Sequence, residues 1–270
     1  MADPFRRGED EYKDPPAFNV PVPVLWLIIA MAAAYAIFAY ALTPDLQDQA
    51  IVDFALFPVR YFGPEGGGPF FTFPGGTAGA LWTLITYTFM HGSWIHLGAN
   101  SVWLLAFGAP VARRLGTTRF FVFYFVCGIF GALTHIMLYP HSVLPVIGAS
   151  AAISGVMGGA ARFVFLSGGP LGALGGAAQG EAASGRKAGI GEALTNKNTL
   201  IFVGAWIGIN LLFGPTGFTS ALGSSAPVAW EAHLGGFLAG LLLFGFFDPV
   251  PLSPSGGPGN AQYGEWLSRR

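Results

Sequence analysis

The chain has 270 residues, of which 53% are hydrophobic and only 10% are charged, and its mean hydropathy is +0.55. Soluble domains carry roughly 25% charged residues, so this composition indicates an integral membrane protein. The net charge of -1 gives no argument for nucleic acid as a partner. Cys127 is the single cysteine, which excludes an intramolecular disulfide.

Hydropathy along the chain predicts an all-α fold, a polytopic membrane protein built as a bundle of six transmembrane helices. The predicted spans are residues 24–42, 94–110, 119–138, 150–166, 199–214 and 230–247. The first of them is about twice as long as the apolar region of a signal peptide, so we interpret it as a retained span.

The basic residues predict how these spans are oriented. All Lys and Arg residues except Arg60 fall in the tails and in alternate connections, and cytoplasmic connections collect positive charge. The expected order is therefore a cytoplasmic tail at 1–23, a membrane domain at 24–248 and a second cytoplasmic tail at 249–270.

Two long connections interrupt the membrane domain. The outer loop, 43–81, carries Phe70, Phe71 and Phe73, so we expect it to lie in the headgroup region of the bilayer. The cytoplasmic linker, 167–198, is rich in Gly, Ala and Ser, a composition typical of a flexible segment.

Polar side chains near the ends of three spans are candidate functional residues, because a polar group inside a membrane is costly and usually faces the protein interior. His96 and Asn100 are four residues apart and share a helix face. Ser150 opens the fourth span, where free backbone N–H groups stabilise negative charge. His233 lies near the start of the sixth span.

Small residues predict that the fourth and sixth spans pack closely. Gly236 and Gly240 share a face with His233, and Gly155 and Gly159 form a matching pair after Ser150. This packing would bring the hydroxyl and the imidazole together near the outer end of the bundle.

A serine hydroxyl, an imidazole base and nearby hydrogen-bond donors suffice for nucleophilic acyl transfer. Glu231 is two residues from His233 and points to another face, so we infer a dyad without a third member. The structural alternatives are a serine that bonds its own backbone and polar residues that only hold helices together. The five-residue spacing of His91 and His96 does not suit a metal site, and no metal or cofactor is expected.

Three motifs, in this order, resemble those of the rhomboid intramembrane serine proteases, and the resemblance covers about residues 81–248. The family patterns are His-x4-His-x3-Asn, G-x-S-G and A-H-x-x-G-x-x-x-G. Their counterparts here are His91, His96 and Asn100, then Gly148 and Ser150, then Ala232, His233, Gly236 and Gly240. The second glycine of G-x-S-G is Ala151, and a tyrosine frequent four residues after the serine is Ser154.

The resemblance implies a role for each matching residue. Ser150 would be the nucleophile and His233 its base, while His96 and Asn100 would bind the oxyanion together with the N–H of Ser150. His91, Gly148, Gly236 and Gly240 would have supporting roles.

The function implied is a serine endopeptidase that cleaves single-span membrane proteins near the outer face of a lipid bilayer. The compact form resembles the bacterial members, which implies a multi-pass protein of the bacterial inner membrane with both termini in the cytoplasm. A non-proteolytic membrane adaptor or chaperone on the same scaffold is the alternative. A channel or transporter is disfavoured, because ionisable residues do not follow a continuous path.

Overall fold

A computed structural model describes residues 20–166, 187–214 and 228–249. Within these ranges the regular structure is helical, apart from one bridge between Leu56 and Val146, which confirms the all-α prediction. The helices are α1 (Val22–Ala36), α2 (Pro44–Phe54), α3 (Val59–Phe62), α4 (Gly76–Thr86), α5 (Trp94–Trp103), α6 (Ala109–Leu115), α7 (Thr117–Leu138), α8 (Ser150–Ala160), α9 (Ile190–Thr195), α10 (Lys197–Phe213) and α11 (Trp230–Phe247).

Several of these helices can cross a membrane, so the chain is a multi-pass membrane protein. Among the described residues, four helical stretches are long and apolar enough: Val22–Ala41, Trp94–Leu115, Thr117–Leu138 and Trp230–Phe247. The helices α8 and α10, at the two other predicted spans, are apolar but shorter. The total of six spans stays a prediction.

The second span continues beyond Pro110, its predicted end. A π-helical turn, Leu104–Gly108, joins α5 to α6, which runs on to Leu115. Proline has no N–H to donate to the preceding turn of the helix. The π-helical turn before Pro110 accommodates the missing hydrogen bond. The helix ends at Gly116, whose φ of 76° is easily adopted only by glycine.

The fourth predicted span is shorter than expected and occupies the centre of the bundle. Its helix, α8, has 11 residues and ends at Ala160, after which the chain forms tight turns up to residue 166. It is about 17 Å long, against a bilayer core of about 30 Å. Every residue of α8 after Ser150 is buried, mainly between α7 and α11.

The backbones of α8 and α11 lie in contact because the residues between them are small. A Cβ atom on Gly240 would overlap the backbone carbonyl of Gly155. A Cβ atom on Gly236 would likewise overlap the carbonyl oxygen of Ala151. The predicted close packing of the fourth and sixth spans is therefore confirmed.

Gly159, the second glycine of the predicted packing face, meets side chains and not the backbone of α11. Gly158 lies against the carbonyl of Phe237 on α11, so it belongs to the face that touches the α11 backbone. Gly159 instead makes room for the rings of Phe123 and Phe244. Gly159 therefore faces α11 as predicted, through the Phe244 ring, while the backbone contacts with α11 are made at Gly155 and Gly158.

The outer connection is an ordered structure that includes α2 and α3 and the start of α4. Arg60 donates hydrogen bonds to the carbonyls of Val52 and Pro74, at 2.6 and 3.0 Å. Its guanidinium lies 4.5 Å from the centre of the Phe73 ring. Phe70 and Phe71 are exposed, and their expected place in the headgroup region stays a prediction.

The part of the predicted flexible linker that the structure describes, residues 187–198, is folded. It contains α9 and the start of α10, and it buries Lys187 and Ala188. Lys187 and Arg114 both contact Asp248, which directly follows α11. Basic side chains therefore gather at the end of the bundle opposite Ser150. Residues 167–186, and most of the two predicted tails, lie outside the described residues.

Candidate active site

Ser150 occupies the first turn of α8, as predicted, and the segment before it is held by backbone hydrogen bonds. The N–H of Gly148 donates to the carbonyl of Tyr87 at 2.9 Å, and two bonds join Leu56 to Val146. Gly148 has a φ of 114°, and a Cβ there would lie 2.8 Å from the His96 ring. Both observations require glycine at this position.

His233 stands directly beside Ser150. The distance between His233 Nε2 and Ser150 Oγ is 2.7 Å, within hydrogen-bond range. His233 lies in the first turn of α11, and the glycine contacts between α8 and α11 bring the starts of the two helices together. Both side chains are half-buried and face one cavity.

His96 and Asn100 lie on α5 and face the segment that precedes Ser150. A Cβ on Gly148 would lie 2.8 Å from the His96 ring and 3.6 Å from Asn100 Nδ2. The helix α5 begins after Ser93, whose hydroxyl accepts a hydrogen bond from the N–H of His96 at 3.1 Å. This cap fixes the first turn of α5, which carries His96.

His91 holds Asn100 in place. Its Nδ1 lies 3.3 Å from the carbonyl of Phe89, which can only accept, so Nδ1 carries the proton and Nε2 is an acceptor. Asn100 Nδ2 donates to that Nε2 at 3.1 Å, and its second hydrogen stays available. Burial, with a smaller contribution from His96, lowers the pKa of His91 to about 4, so its ring is neutral near pH 7.

A cavity of about 240 Å³ is lined by Ser150, His233, His96 and Asn100. The rest of its lining is mostly apolar. Its apolar walls come from α5, α8, α10 and the segment before α8; they include Trp103, Val146, Ile147, Ile153, Met157 and Trp206. The methyl group of Ala151 lies against Gly131 of α7, where a Cβ would come within 2.8 Å of it. The extra carbon of Ala151, at the place of the second glycine of G-x-S-G, is thus accommodated in the α7 interface.

The two remaining histidines, His135 and His141, and the nearby Glu231 make their contacts away from Ser150. Glu231 points away from His233, as predicted: it accepts a hydrogen bond from the Tyr139 hydroxyl at 2.7 Å and lies 3.7 Å from His135 Nδ1. His141 lies 2.8 Å from the carbonyl of Gly63 in the outer connection. In the part of the chain that the structure describes, no three His, Cys, Asp or Glu side chains form a group suited to a metal.

Sequence reasoning missed Asn210, which contacts His233 from α10. The distance between Asn210 Oδ1 and His233 Nδ1 is 2.6 Å. An amide inside an apolar helix is a signal of function, and that signal was present in the sequence.

Comparisons with known proteins agree with these motifs. The family model of the rhomboid domain matches residues 78–248. A rhomboid-like protease 3 of Toxoplasma gondii is 36% identical over 84 residues, which are 31% of this chain and 31% of that protein. The RHOMBOID-like protein 7 of Arabidopsis thaliana is 26% identical over 163 residues, 60% of this chain and 42% of that protein.

An inactive relative is also similar. The inactive rhomboid protein 1 of Drosophila melanogaster is 36% identical over 81 residues, which are 30% of this chain and 6% of that protein. The chain thus matches less than half of the length of each of these curated relatives. Similarity in sequence alone therefore does not separate proteolytic from inactive members.

Proposed function

The chain belongs to the rhomboid family, and we propose that it is an intramembrane serine endopeptidase. The observation that carries the proposal is the 2.7 Å contact between Ser150 Oγ and His233 Nε2 inside an apolar bundle. An inactive scaffold has no need of a hydroxyl paired with a base beside free hydrogen-bond donors. A serine with only a structural role satisfies its hydroxyl locally, as Ser101 does by donating to the carbonyl of Leu97 at 2.8 Å.

The proposed reaction has two steps. His233 Nε2 accepts the Ser150 proton as Oγ attacks the carbonyl carbon of the substrate, and the protonated imidazole then gives that proton to the leaving amine. In the second step His233 takes a proton from water as the water oxygen attacks the acyl carbon, and the imidazolium returns that proton to Oγ as the ester bond to Ser150 breaks. Each proton thus passes through one nitrogen, which the structure holds at hydrogen-bond distance from Ser150.

The negative oxygen that forms in each step requires donors placed in advance. Three are proposed: the backbone N–H of Ser150, the ring of His96 and the free amide hydrogen of Asn100. The Ser150 N–H lies in the first turn of α8, where no preceding turn supplies an acceptor. The two side chains lie around Gly148, two residues before the nucleophile.

The depth and lining of the site suggest its substrates. Ser150 begins a helix of only about 17 Å, so its hydroxyl is expected to lie below the membrane surface. A segment that reaches it has to be apolar and locally unwound, because a helical peptide bond is hydrogen-bonded and shielded. We propose single-span membrane proteins with small or helix-weakening residues near the cleavage site.

The orientation is proposed from charge. Arg114 and Lys187 lie at the end of the bundle opposite Ser150, and basic residues favour the cytoplasmic side. Cleavage would then occur near the outer face, with both termini in the cytoplasm. A bacterial inner membrane is the proposed location.

The test is cleavage of a fluorescently labelled transmembrane substrate by the purified protein in detergent or liposomes. We expect Ser150→Ala and His233→Ala to reduce cleavage to background. The matched controls are Ser101→Ala and His141→Ala, which remove a serine and a histidine away from the cavity and should cleave as the unsubstituted chain does. Cleavage retained in either of the first two variants would disprove the mechanism.

The second candidate is a non-proteolytic membrane adaptor or chaperone, which the similarity to an inactive rhomboid protein favours. It would bind client helices in the same cavity without cutting them. A serine-directed fluorophosphonate separates the two functions, because covalent labelling requires an activated hydroxyl. A chain that binds transmembrane segments but shows no labelling dependent on Ser150 is an adaptor.

A further inference from the structure

The ring nitrogen of His233 that is remote from Ser150 contacts a side-chain amide of another helix. Asn210, on α10, places its Oδ1 2.6 Å from His233 Nδ1, while Ser150 Oγ lies 2.7 Å from Nε2. The imidazole is therefore held at both nitrogens, by groups from two different helices. The dyad inferred from the sequence, Ser150 and His233, includes no partner for Nδ1 of His233. The structure adds Asn210 as that partner.

A second hydrogen bond determines which way the Asn210 amide faces. Its Nδ2 donates to the carbonyl of Trp206 at 2.8 Å, four residues earlier on α10. A carbonyl can only accept, so the NH2 group must point to Trp206 and Oδ1 must point to His233. Oδ1 is an acceptor in turn, and Nδ1 of His233 must therefore carry a hydrogen.

The tautomer that follows is the one a general base requires. With the hydrogen on Nδ1, a neutral imidazole has its lone pair on Nε2, which faces the Ser150 hydroxyl. The opposite tautomer would place N–H against O–H and leave Nδ1 and Oδ1 as two facing acceptors. The amide thus selects the productive form without burying a charge, which a carboxylate at this position would do.

We infer that Asn210 is the positioning residue of this active site, which sets the tautomer and orientation of His233. The inference rests on the proposed protease function and extends the dyad to a Ser-His-Asn arrangement, related in logic to the Cys-His-Asn sites of other proteases. When His233 has taken the serine proton, the Nδ1–H to Oδ1 bond becomes charge-assisted and stabilises the imidazolium.

The helix α10, which carries Asn210, packs on α11 through Trp206. The Trp206 ring is buried and stacks on Phe237 of α11, with ring centres 4.6 Å apart and planes inclined by 24°. Much of the rest of α10 is exposed, including Leu200 and Ile201. The Trp206–Phe237 stack and the Asn210–His233 contact thus both join α10 to α11 beside the site.

The competing explanation is that Asn210 only joins α10 to α11. Three variants separate the two roles. Asn210→Leu removes the acceptor, and Asn210→Asp keeps an acceptor of the same length. Asn196→Ala is the matched control, since Asn196 caps the start of α10 by accepting from the N–H of Thr199 at 3.0 Å and lies far along the chain from the site.

Kinetics form the first readout. We expect Asn210→Leu to lower kcat by about 10- to 100-fold, by analogy with the loss seen when the hydrogen-bond partner of a metal-binding histidine is removed, with little change in KM. Asn210→Asp should recover most of that loss, and Asn196→Ala should keep kcat although it loosens α10. Equal kcat in the Leu variant and the unsubstituted chain would overturn the inference, as would equal losses in the Leu and Asp variants.

The second readout does not depend on activity. In protein labelled with 15N-histidine, the His233 signals are identified by their loss in His233→Ala, and their shifts report which nitrogen is protonated. We expect the Nδ1–H tautomer in the unsubstituted chain and its loss in Asn210→Leu. An Nε2–H tautomer in the unsubstituted chain would overturn the inference even if the Leu variant did not fold. If the unsubstituted chain neither cleaves nor labels at Ser150, the proposed protease function fails, and the tautomer still reports on Asn210 separately.

Discussion

Replacement of Gly240 by alanine tests whether the contact between α8 and α11 sets the catalytic distance. A Cβ on Gly240 would lie 2.8 Å from Gly155 Cα, and closer still to the carbonyl of that residue, whereas ordinary contact begins at 3.4 Å. The helix α11 must therefore move from α8 by at least about 0.6 Å, the difference of these distances. His233 lies about two turns away on the same helix.

The expected loss follows from that movement. If the shift reaches His233, its 2.7 Å contact with Ser150 lengthens to about 3.3 Å, beyond the usual range of a hydroxyl hydrogen bond. Overpacking of this kind costs about 1–3 kcal/mol of stability. Since a misplacement of about 1 Å can lower a rate 100-fold, we expect kcat/KM to fall by about 10- to 100-fold in Gly240→Ala.

The assay is cleavage of a labelled transmembrane substrate, together with the thermal unfolding midpoint in detergent. Gly245→Ala is the matched control on the same helix, because nothing lies within 4 Å of a Cβ added there. Removing a helical glycine should leave kcat/KM unchanged and stabilise the fold by up to about 1 kcal/mol. Unchanged activity and stability in Gly240→Ala would refute the reasoning that the glycine contact holds the two catalytic side chains together.

Two further substitutions test the site and the opposite end of the bundle. Gly148→Ala should lower kcat at least 10-fold, because its Cβ would lie 2.8 Å from the His96 ring. Its left-handed φ would cost about 1–2 kcal/mol more. Kinetics equal to those of the unsubstituted chain would contradict this prediction. Asp248→Ala removes the buried carboxylate that contacts Arg114 at 2.9 Å and Lys187 at 3.4 Å, and it should cost about 3–5 kcal/mol in detergent unfolding, with kcat of the folded fraction unchanged. Replacing Arg114, Lys187 and Asp248 together by leucine should cost less than Asp248→Ala, because all three charges are removed together, and an equal or larger loss would speak against the ion pairs.

Most of the candidate site follows from short-range patterns in the chain. Ser150 opens an apolar run, and His96 and Asn100 are spaced to share a face, so their local positions could be predicted from residue type and helical period. The pairing of α8 with α11 could also be predicted, because small residues near His233 indicate close backbones. Glu231 was correctly excluded as a partner of His233 by its position two residues away.

Other features required knowledge of how helices lie against each other. Hydropathy predicted that the second span ends at Pro110, but a π-helical turn lets the helix continue to Leu115. Gly159 meets α11 only through the Phe244 ring, and the backbone contact after Gly155 is made by Gly158. Such details are missed because hydropathy reports that a helix is apolar all round without indicating which side meets which neighbour.

The sequence by itself determined that this is a multi-pass membrane protein, that its motifs match the rhomboid domain, and which side chains are candidates for chemistry. These properties depend on composition and on spacing within single helices. Only the tertiary structure decided that Asn210 meets Nδ1 of His233 and that His91 holds Asn100. The physical reason is that contacts between elements depend on crossing angle and relative depth in the bundle, and neither is encoded in the period of one helix.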